Sequence, residues 1–364
     1  MIIEEKKINL NMIESPLYLD SASTSKLDER VFESMKPYFL EYFGNASSNH
    51  EFGKIAKKAI DKARTQVAKI INCFEDEVIF TTGATESINF ALKGFVEANA
   101  HKGNHIITVK TEHKAVLATC EYLETKGIEV TYLSVDENGL ISLQDLKNSI
   151  KKETLLIAVM YVNNEIGIIQ PIQEIGEIAR NHNVAFFCDA TQAVGKVSVD
   201  VEKDNIDMLC FSGHKLNGPK GIGVLYKRKD LELTPLIHGG GQESGLRSGT
   251  YNTPLIVGLG KACEFARDEF DDNIQKLIKK RGEIEDYFQR NNIGSVNFKN
   301  VNKSTHIISI TLNDFEAEEY LMFKSKEIIA STGSACNSEI IEISHVLKSL
   351  GIKKTKYIIR ISIE

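Results

Sequence analysis

The stretch TLLIAVMYVNNEIGIIQPIQEIGEIARNHNVAFFCDATQ, residues 154–192, decides the fold. It opens on a short apolar run, Thr154–Tyr161, and closes on another, Val184–Cys188. Between them, Pro171 to His182 carries its apolar residues at helical spacing. A strand, a helix and a second buried strand in that order form a crossover unit, whose strands lie parallel under a helical layer. The alternation extends outward in both directions. Glu77–Phe80, His105–Val109, Glu129–Leu133, Met208–Phe211 and Gly223–Tyr226 read as further strands. Lys114 to Lys126 is helical in pattern, and Ile55, Ala56, Ala59, Ile60, Ala63, Val67, Ile70 and Ile71 fall on one helix face. The expectation is an α/β fold with a largely parallel sheet covered on both faces, and chemistry gathered at the C-terminal ends of its strands.

A long helical pattern from Pro254 to about Gln289 is followed by a strand at Thr305–Leu312, a helix at Asp314–Ser325, a strand at Glu327–Ala330 and a helix at Ser338–Leu350. This block predicts a smaller α+β domain. The expected division is a large domain over 18–262, and a small one from 1–17 and 263–364 that carries a mobile cysteine loop at about 325–340.

Composition narrows the function. The 364 residues are 42% hydrophobic and 26% charged, with a net charge of 44 − 50 = −6 and a pI near 5.9. That balance argues against direct nucleic-acid binding. The longest apolar stretch, Leu155 to Val162, is far shorter than the roughly 20 residues of a membrane span. The N-terminus has early acidic residues and no apolar leader core, so a secretory signal is not expected. Six cysteines stand at 73, 120, 188, 210, 263 and 336, the closest pair 210 − 188 = 22 residues apart. No CxxC or Cys/His cluster appears, so no metal site is expected; reduced thiols in a cytoplasm fit best.

Three strand ends carry candidate chemistry. Phe80-Thr-Thr-Gly-Ala-Thr-Glu-Ser87 places a glycine turn before a helix start, where the N–H groups of Ala84 and Thr85 form an anion site. On this segment alone an ordinary N-cap, with Glu86 in the first turn, is the favoured reading. The strand at 184–188 runs into Asp189, whose carboxylate suits either a protonated ring nitrogen or the cap of the next helix; both readings stand. In Cys210-Phe-Ser-Gly-His-Lys-Leu-Asn-Gly-Pro-Lys-Gly221, Lys215 sits in a tight, glycine-rich turn after a strand. A lysine there, near other cations, is an amine nucleophile toward an aldehyde, and Ser212 and His214 suit a phosphate.

This last segment resembles the pyridoxal-phosphate lysine segment of the cysteine desulfurases of the NifS/IscS type, fold-type-I enzymes of the class-V aminotransferase family. Further segments match in order: Tyr18-Leu-Asp-Ser-Ala-Ser-Thr24, Gly44-Asn-Ala-Ser-Ser-Asn-His-Glu-Phe-Gly53, Thr82-Gly-Ala-Thr-Glu-Ser87, Thr111-Glu-His-Lys114 and Val162-Asn-Asn-Glu-Ile-Gly167. They continue through His238-Gly-Gly-Gly-Gln242, Leu246-Arg-Ser-Gly-Thr250 and Ser331-Thr-Gly-Ser-Ala-Cys336, so the likeness covers roughly 18 to 362.

The resemblance implies a role for each residue. Lys215 would carry pyridoxal phosphate covalently and then move a proton at the substrate's alpha carbon. Asp189 would pair with the ring nitrogen, His113 would stack on the ring and share in proton transfer, and Gln192 would bond the ring oxygen. Ala84, Thr85, Ser212 and His214 would hold the phosphate, with Thr250 reaching in from the second subunit of a homodimer. Arg360, helped by Asn164, would bind the substrate carboxylate, although Ile-Ile-Arg-Ile-Ser also reads as a strand-edge surface arginine. Cys336, in a loop of small and polar residues, would take sulfur from L-cysteine as a persulfide, leaving alanine. Its Gly-Ser-Ala-Cys setting resembles the long-loop subgroup, which hands sulfur to acceptor proteins for iron–sulfur cluster assembly, tRNA thiolation or DNA phosphorothioation.

Ala46, Ser21 and Ser244 depart from the usual pattern, and the sequence stops at Glu364 where the resembled enzymes continue with a final helix. The acceptor therefore stays open. The competing readings are a selenocysteine lyase or aminotransferase of the same fold, and a catalytically silent scaffold relative.

Overall fold

The computed structural model describes residues 16–332 and 344–364. Its centre is a seven-stranded sheet built from β1 (Val78–Thr81), β2 (His105–Val109), β3 (Glu129–Leu133), β4 (Thr154–Ala158), β5 (Ala185–Asp189), β6 (Met208–Ser212) and β7 (Gly223–Lys227). These are the seven strands read from the sequence, shifted by at most a few residues at their ends. The spatial order is β1-β7-β6-β5-β4-β2-β3. Parallel pairing joins β3, β2, β4, β5 and β6, while β7 is antiparallel to both β6 and β1. The reversal has a covalent cause. A parallel return needs a crossover of a dozen or more residues, whereas residues 213–222 between β6 and β7 hold only one 3-10 turn, Gly213–Lys215. That same short turn carries Lys215.

Side chains alternate along each strand, and both faces of the sheet are covered. Ile107, Ile157, Phe186, Leu209 and Val224 pack in one core with α1 (Glu51–Ile71), the helix Ile172–Asn181 and the helix Thr253–Asp268. Ile106, Leu156, Phe187, Met208 and Leu225 pack on the other face with Ile88, Val116 and Cys120. In α1 the buried positions Ala56, Ile60, Ala63, Val67 and Ile71 follow the predicted stripe. His50 caps its start by accepting from the Gly53 N–H at 3.2 Å, and Asn72 ends it in the left-handed conformation.

A buried ion pair ties α1 and β1 to the loop that carries Thr250. Glu243 accepts from Arg64 Nη2 at 2.7 Å, from Arg64 Nη1 at 3.0 Å and from the Phe80 N–H at 3.0 Å. Its side chain is 2% exposed. Removing one partner of such a pair leaves the other charge buried and unpaired. Glu243→Ala is therefore expected to lower stability by about 3 kcal/mol in urea or guanidinium unfolding. A change under about 1 kcal/mol would mean that water replaces the carboxylate.

The C-terminal region forms a second sheet from β8 (Gly294–Val296), β9 (Ile307–Leu312), β10 (Ser331–Thr332) and β11 (Ile358–Ser362), antiparallel and in the order β10-β11-β9-β8. The long pattern from Pro254 is two helices, Thr253–Asp268 and Phe270–Arg290, interrupted at Glu269. Asp271 and Asp272 in the first turn of the second helix favour a fresh start there. The expected strand at 327–330 is shorter, Ile328–Ile329, and pairs with Leu17–Tyr18; a further strand not read from the sequence, Ser331–Thr332, follows it and pairs with β11. Of the expected helix at 338–350, His345–Ser349 is helical, and 338–343 lie outside the described residues. Ile308, Ile310, Ile359 and Ile361 pack with Leu277, Ile284 and Phe288 in a separate core. We propose the division into a large and a small domain on these separate cores. Among the described residues no helix is long and apolar enough to cross a membrane.

One junction matters for the site. Asp20 bridges Ser362 in parallel, and the Ser362 N–H donates to Leu19 O at 2.8 Å. The N-terminal segment thus runs beside β11, across the mouth of the central sheet.

Candidate active site

The strands β1, β2, β4, β5 and β6 end at one edge of the sheet, where a cleft of about 710 Å³ opens. It is within the size range of small-molecule sites. Lys215 stands in it on the 3-10 turn after β6. Its Nζ donates to Ser23 O at 2.7 Å and to Ala22 O. Burial, with the nearby Arg360 guanidinium, pulls the amine down to about 8, against the partial opposition of Asp20 and Asp189. At neutral to mildly alkaline pH a useful share of the amine is therefore unprotonated, the form that attacks a carbonyl.

Asp189 ends β5 and is 5% exposed. Its Oδ1 accepts from the Thr191 N–H at 3.0 Å and, longer, from the Cys210 thiol at 3.6 Å. Its Oδ2 has no partner among the described residues. A carboxylate both orients the next turn and offers one oxygen to the cleft, so the two sequence readings hold together. His113 caps the helix Lys114–Glu124 and opens onto the cleft. The Ala115 N–H donates to His113 Nδ1 at 3.1 Å, which leaves the proton of the neutral ring on Nε2. Although the ring is accessible, the protein around it disfavours its charged form, and Lys215 adds to this; Asp189 works the other way, and the net shift is downward.

Gln192 Nε2 donates to Ala22 O at 2.8 Å, which fixes the amide's orientation. Its Oε1 therefore faces His306 Nε2 at 3.2 Å, and that nitrogen must carry the proton. His306 is 1% exposed, and its Nδ1 has no partner among the described residues. Burial holds its pKa well below the usual imidazole range, so it stays neutral. Nothing in the local sequence around His306 marks it.

The anion end of the cleft lies between β1 and β6. Gly83 takes φ 153°, which favours glycine, and precedes a helical run that begins with Ala84–Asn89. Ala84 and Thr85 line the cleft, opposite Ser212 and His214. A Cβ on Gly83 would lie 3.5 Å from Ser212 Oγ, and one on Gly223 only 2.6 Å from Gly83 Cα, so these strand ends meet closely. Glu86 would repel an anion here, but it is engaged elsewhere. It accepts from the Thr82 N–H at 2.7 Å and from Arg247 Nε at 2.8 Å. Burial pushes its carboxyl up, yet Arg247 and Thr82 together hold it below the usual range. Burial, then Lys215 and Lys220, pull His214 down to about 4. Its Nδ1 meets Thr24 Oγ1 at 3.1 Å.

Arg360 sits inside the second sheet, on β11, and not at a strand edge. Ile359 and Ile361 turn into the small core, while Arg360 faces the cleft, 11% exposed. Its Nη1 donates to Asn164 O at 3.0 Å. The neighbouring Asn163 folds the turn by accepting from the Glu165 and Ile166 N–H groups, and the Asn164 side chain keeps no partner among the described residues. The segment 20–24, matched as a motif but given no role from the sequence, touches four of the expected site residues. Asp20 and Ser23 bond Arg360, Ala22 and Ser23 bond Lys215, Ala22 bonds Gln192, and Thr24 meets His214.

Two expected residues stand apart. Thr250 is exposed and does not line this chain's cleft. Cys336 lies outside the described residues. The other five thiols are free, and burial pushes each of them up, away from the reactive thiolate form.

The residues present fit pyridoxal phosphate: a nucleophilic lysine, a buried carboxylate with one oxygen unmet, a histidine lining the cleft, and, at the anion end, helix-start N–H groups unpartnered among the described residues together with a hydroxyl. Comparison with known proteins points the same way. The family described as Aminotransferase class-V matches residues 17–364. The chain is 46% identical over 345 residues to the cysteine desulfurase IscS of Methanosarcina thermophila, covering 94% of this chain and 85% of that protein. Among solved structures it is similar to a NifS-like protein, with a TM-score of 0.89, 36% identity and coverage of 96% and 93% of the two chains. It is also similar to SspA in complex with cysteine, with a TM-score of 0.82, 39% identity and coverage of 95% and 98%.

Proposed function

On the premise that this chain belongs to the aminotransferase class-V family, we propose that it is a pyridoxal-phosphate cysteine desulfurase, converting L-cysteine to L-alanine and leaving a persulfide on Cys336. The observation that carries the reading is the convergence of Lys215, Asp189, His113 and Arg360 on one cleft.

Lys215 would anchor the cofactor, Asp189 Oδ2 would meet its ring nitrogen, His113 its face and Gln192 its ring oxygen. The N–H groups of Ala84 and Thr85, with Ser212 and His214, would hold its phosphate. Bound there, pyridoxal phosphate supplies an electron sink for charge developing on the substrate's carbons. Arg360 binds the substrate carboxylate with help from Asn164, and so orients the alpha carbon toward Lys215. The Lys215 amine takes and returns the alpha proton, and the His113 Nε2–H is placed to donate to a leaving or arriving group. The Cys336 thiolate attacks the substrate sulfur; the S–S bond forms as the Cβ–S bond breaks, and a proton completes the methyl group of alanine.

The amine's lowered pKa has a signed consequence. Incorporation of pyridoxal phosphate into the apoenzyme should speed up with rising pH and level off above about 8, read from the absorbance change. A rate still climbing toward the ordinary lysine range would contradict the assignment. The activity itself is tested by incubating the holoenzyme with L-cysteine and a reductant. Alanine and sulfide should appear in equal amounts, and alanine without sulfide release would contradict the reading.

The working unit is a homodimer. Phe39, Leu40 and Phe43 are 54%, 72% and 69% exposed, and the Phe43 and Phe52 rings stand 5.5 Å apart. Such a patch suits a second copy of the chain, and an exposed Thr250 is then free to serve the partner's cleft. Sulfur passes from Cys336 to acceptor proteins in iron–sulfur cluster assembly, tRNA thiolation or DNA phosphorothioation, which transfer of radiolabelled sulfur to candidate acceptors distinguishes.

A further inference from the structure

Arg360 distributes its N–H groups unevenly. Nη1 gives one to Asn164 O. Nη2 faces three acceptors: Ser23 Oγ at 2.6 Å, Asp20 Oδ1 at 2.7 Å and Ser331 Oγ at 3.1 Å. Nε is buried and has no partner among the described residues. A carboxylate is gripped bidentately by two parallel N–H groups of a guanidinium. The guanidinium has two such forks, one end-on from Nη1 and Nη2 and one side-on from Nε and Nη2. Nη2 belongs to both.

Nη2 has two N–H groups, one for each fork, and Asp20 and Ser23 between them engage this nitrogen that any bidentate carboxylate needs; Asp20 is the charged one of the two. It is also firmly placed. Ser331 Oγ donates to the same Oδ1 at 2.8 Å, the Ser23 N–H donates to Asp20 O at 3.0 Å, and the backbone bridges Ser362. The pair is poorly screened, with side chains 11% and 17% exposed. We propose that Asp20 is a built-in competitor for the substrate carboxylate, which sets the affinity of Arg360 for its ligand. This rests on reading Arg360 as the substrate-carboxylate site. The Arg360–Asp20 pair carries no net charge, so a simple carboxylic acid gains little by displacing one carboxylate with another. An amino acid also brings an amine that engages the cofactor end of the cleft, and it alone has a second source of binding to offset the exchange. Asp20 thus lowers the affinity for both classes by the same factor, so that a carboxylate without an amine binds too weakly to fill the cleft while an amino acid still binds.

The test uses 3-mercaptopropionate, which has the carboxylate and thiol of cysteine but no amine, with its dissociation constant on the holoenzyme measured by calorimetry. Asp20→Asn keeps an acceptor for Nη2 and removes the charge. It should tighten 3-mercaptopropionate about fivefold, the difference between a charge-assisted and a neutral hydrogen bond. Asp20→Ser should shift binding in the same direction. As a readout free of ligand, Asp20→Asn should lower the pH midpoint of cofactor incorporation, because Asp20 supports the charged form of Lys215. Unchanged or weaker 3-mercaptopropionate binding in both variants would overturn the proposal and make Asp20 a scaffold for Arg360. Wild-type affinity in Arg360→Lys is a different failure, because it would remove the carboxylate assignment itself.

Discussion

Lys215→Ala is expected to lose desulfuration by on the order of a thousandfold or more, within the range for removal of a positioned acid–base group and beyond it if cofactor attachment also fails. The expectation follows from geometry more than from residue type. The amine stands on a 3-10 turn within the short return from β6 to β7, and the carbonyls of Ala22 and Ser23 aim it. Burial and Arg360 together lower its pKa to about 8. Lys220, on the same loop, lines the cleft as well, but among the described residues it makes no comparable set of hydrogen bonds. The purified variant should therefore lack the visible absorbance of the attached cofactor and form no alanine. Added small amines should restore part of the activity. Retained absorbance with full turnover would move the attachment site to another lysine.

Cys336→Ala is expected to have the complementary phenotype. The cofactor should remain attached with unchanged absorbance, since Lys215, Asp189 and the anion end do not depend on that thiol. Sulfide release and alanine formation should fall to background. The five other cysteines offer no substitute, because burial disfavours the thiolate at each of them. Full desulfuration by this variant would show that Cys336 is not the sulfur acceptor.

The sequence made the central sheet legible because six of its seven strands are buried almost throughout, the edge strand Glu129–Leu133 being the exception. Thr154–Ala158 and Met208–Ser212 read as continuous apolar runs, and no competing helical spacing disturbs them. The direction of β7 was not legible from its composition; it is set by the length of the connection before it. In the sequence Lys215 is singled out by its glycine-rich turn after a strand, Asp189 stands open between a cofactor partner and a helix cap, and His113 comes only from the resemblance; all three lie at the edge where such folds gather ligands. Arg360 was harder. In Ile-Ile-Arg-Ile-Ser the alternation sends Ile359 and Ile361 to one core and Arg360 to the other face, a signal that could have argued against an edge position. Asp20 and His306 could not be found by spacing. Asp20 meets Arg360 across 340 residues of chain and His306 meets Gln192 across 114, and such pairings exist only once the chain is folded.

The central claim is that sulfur leaves L-cysteine onto Cys336. Its most direct test is a single turnover of the holoenzyme with L-cysteine and no reductant, followed by proteolysis and mass measurement of every cysteine peptide. One added sulfur atom on the Cys336 peptide, released by reductant and matched by one alanine per active site, is the predicted result. Alanine formed with no added sulfur on that peptide, or with the sulfur on Cys73, Cys120, Cys188, Cys210 or Cys263, would contradict the account.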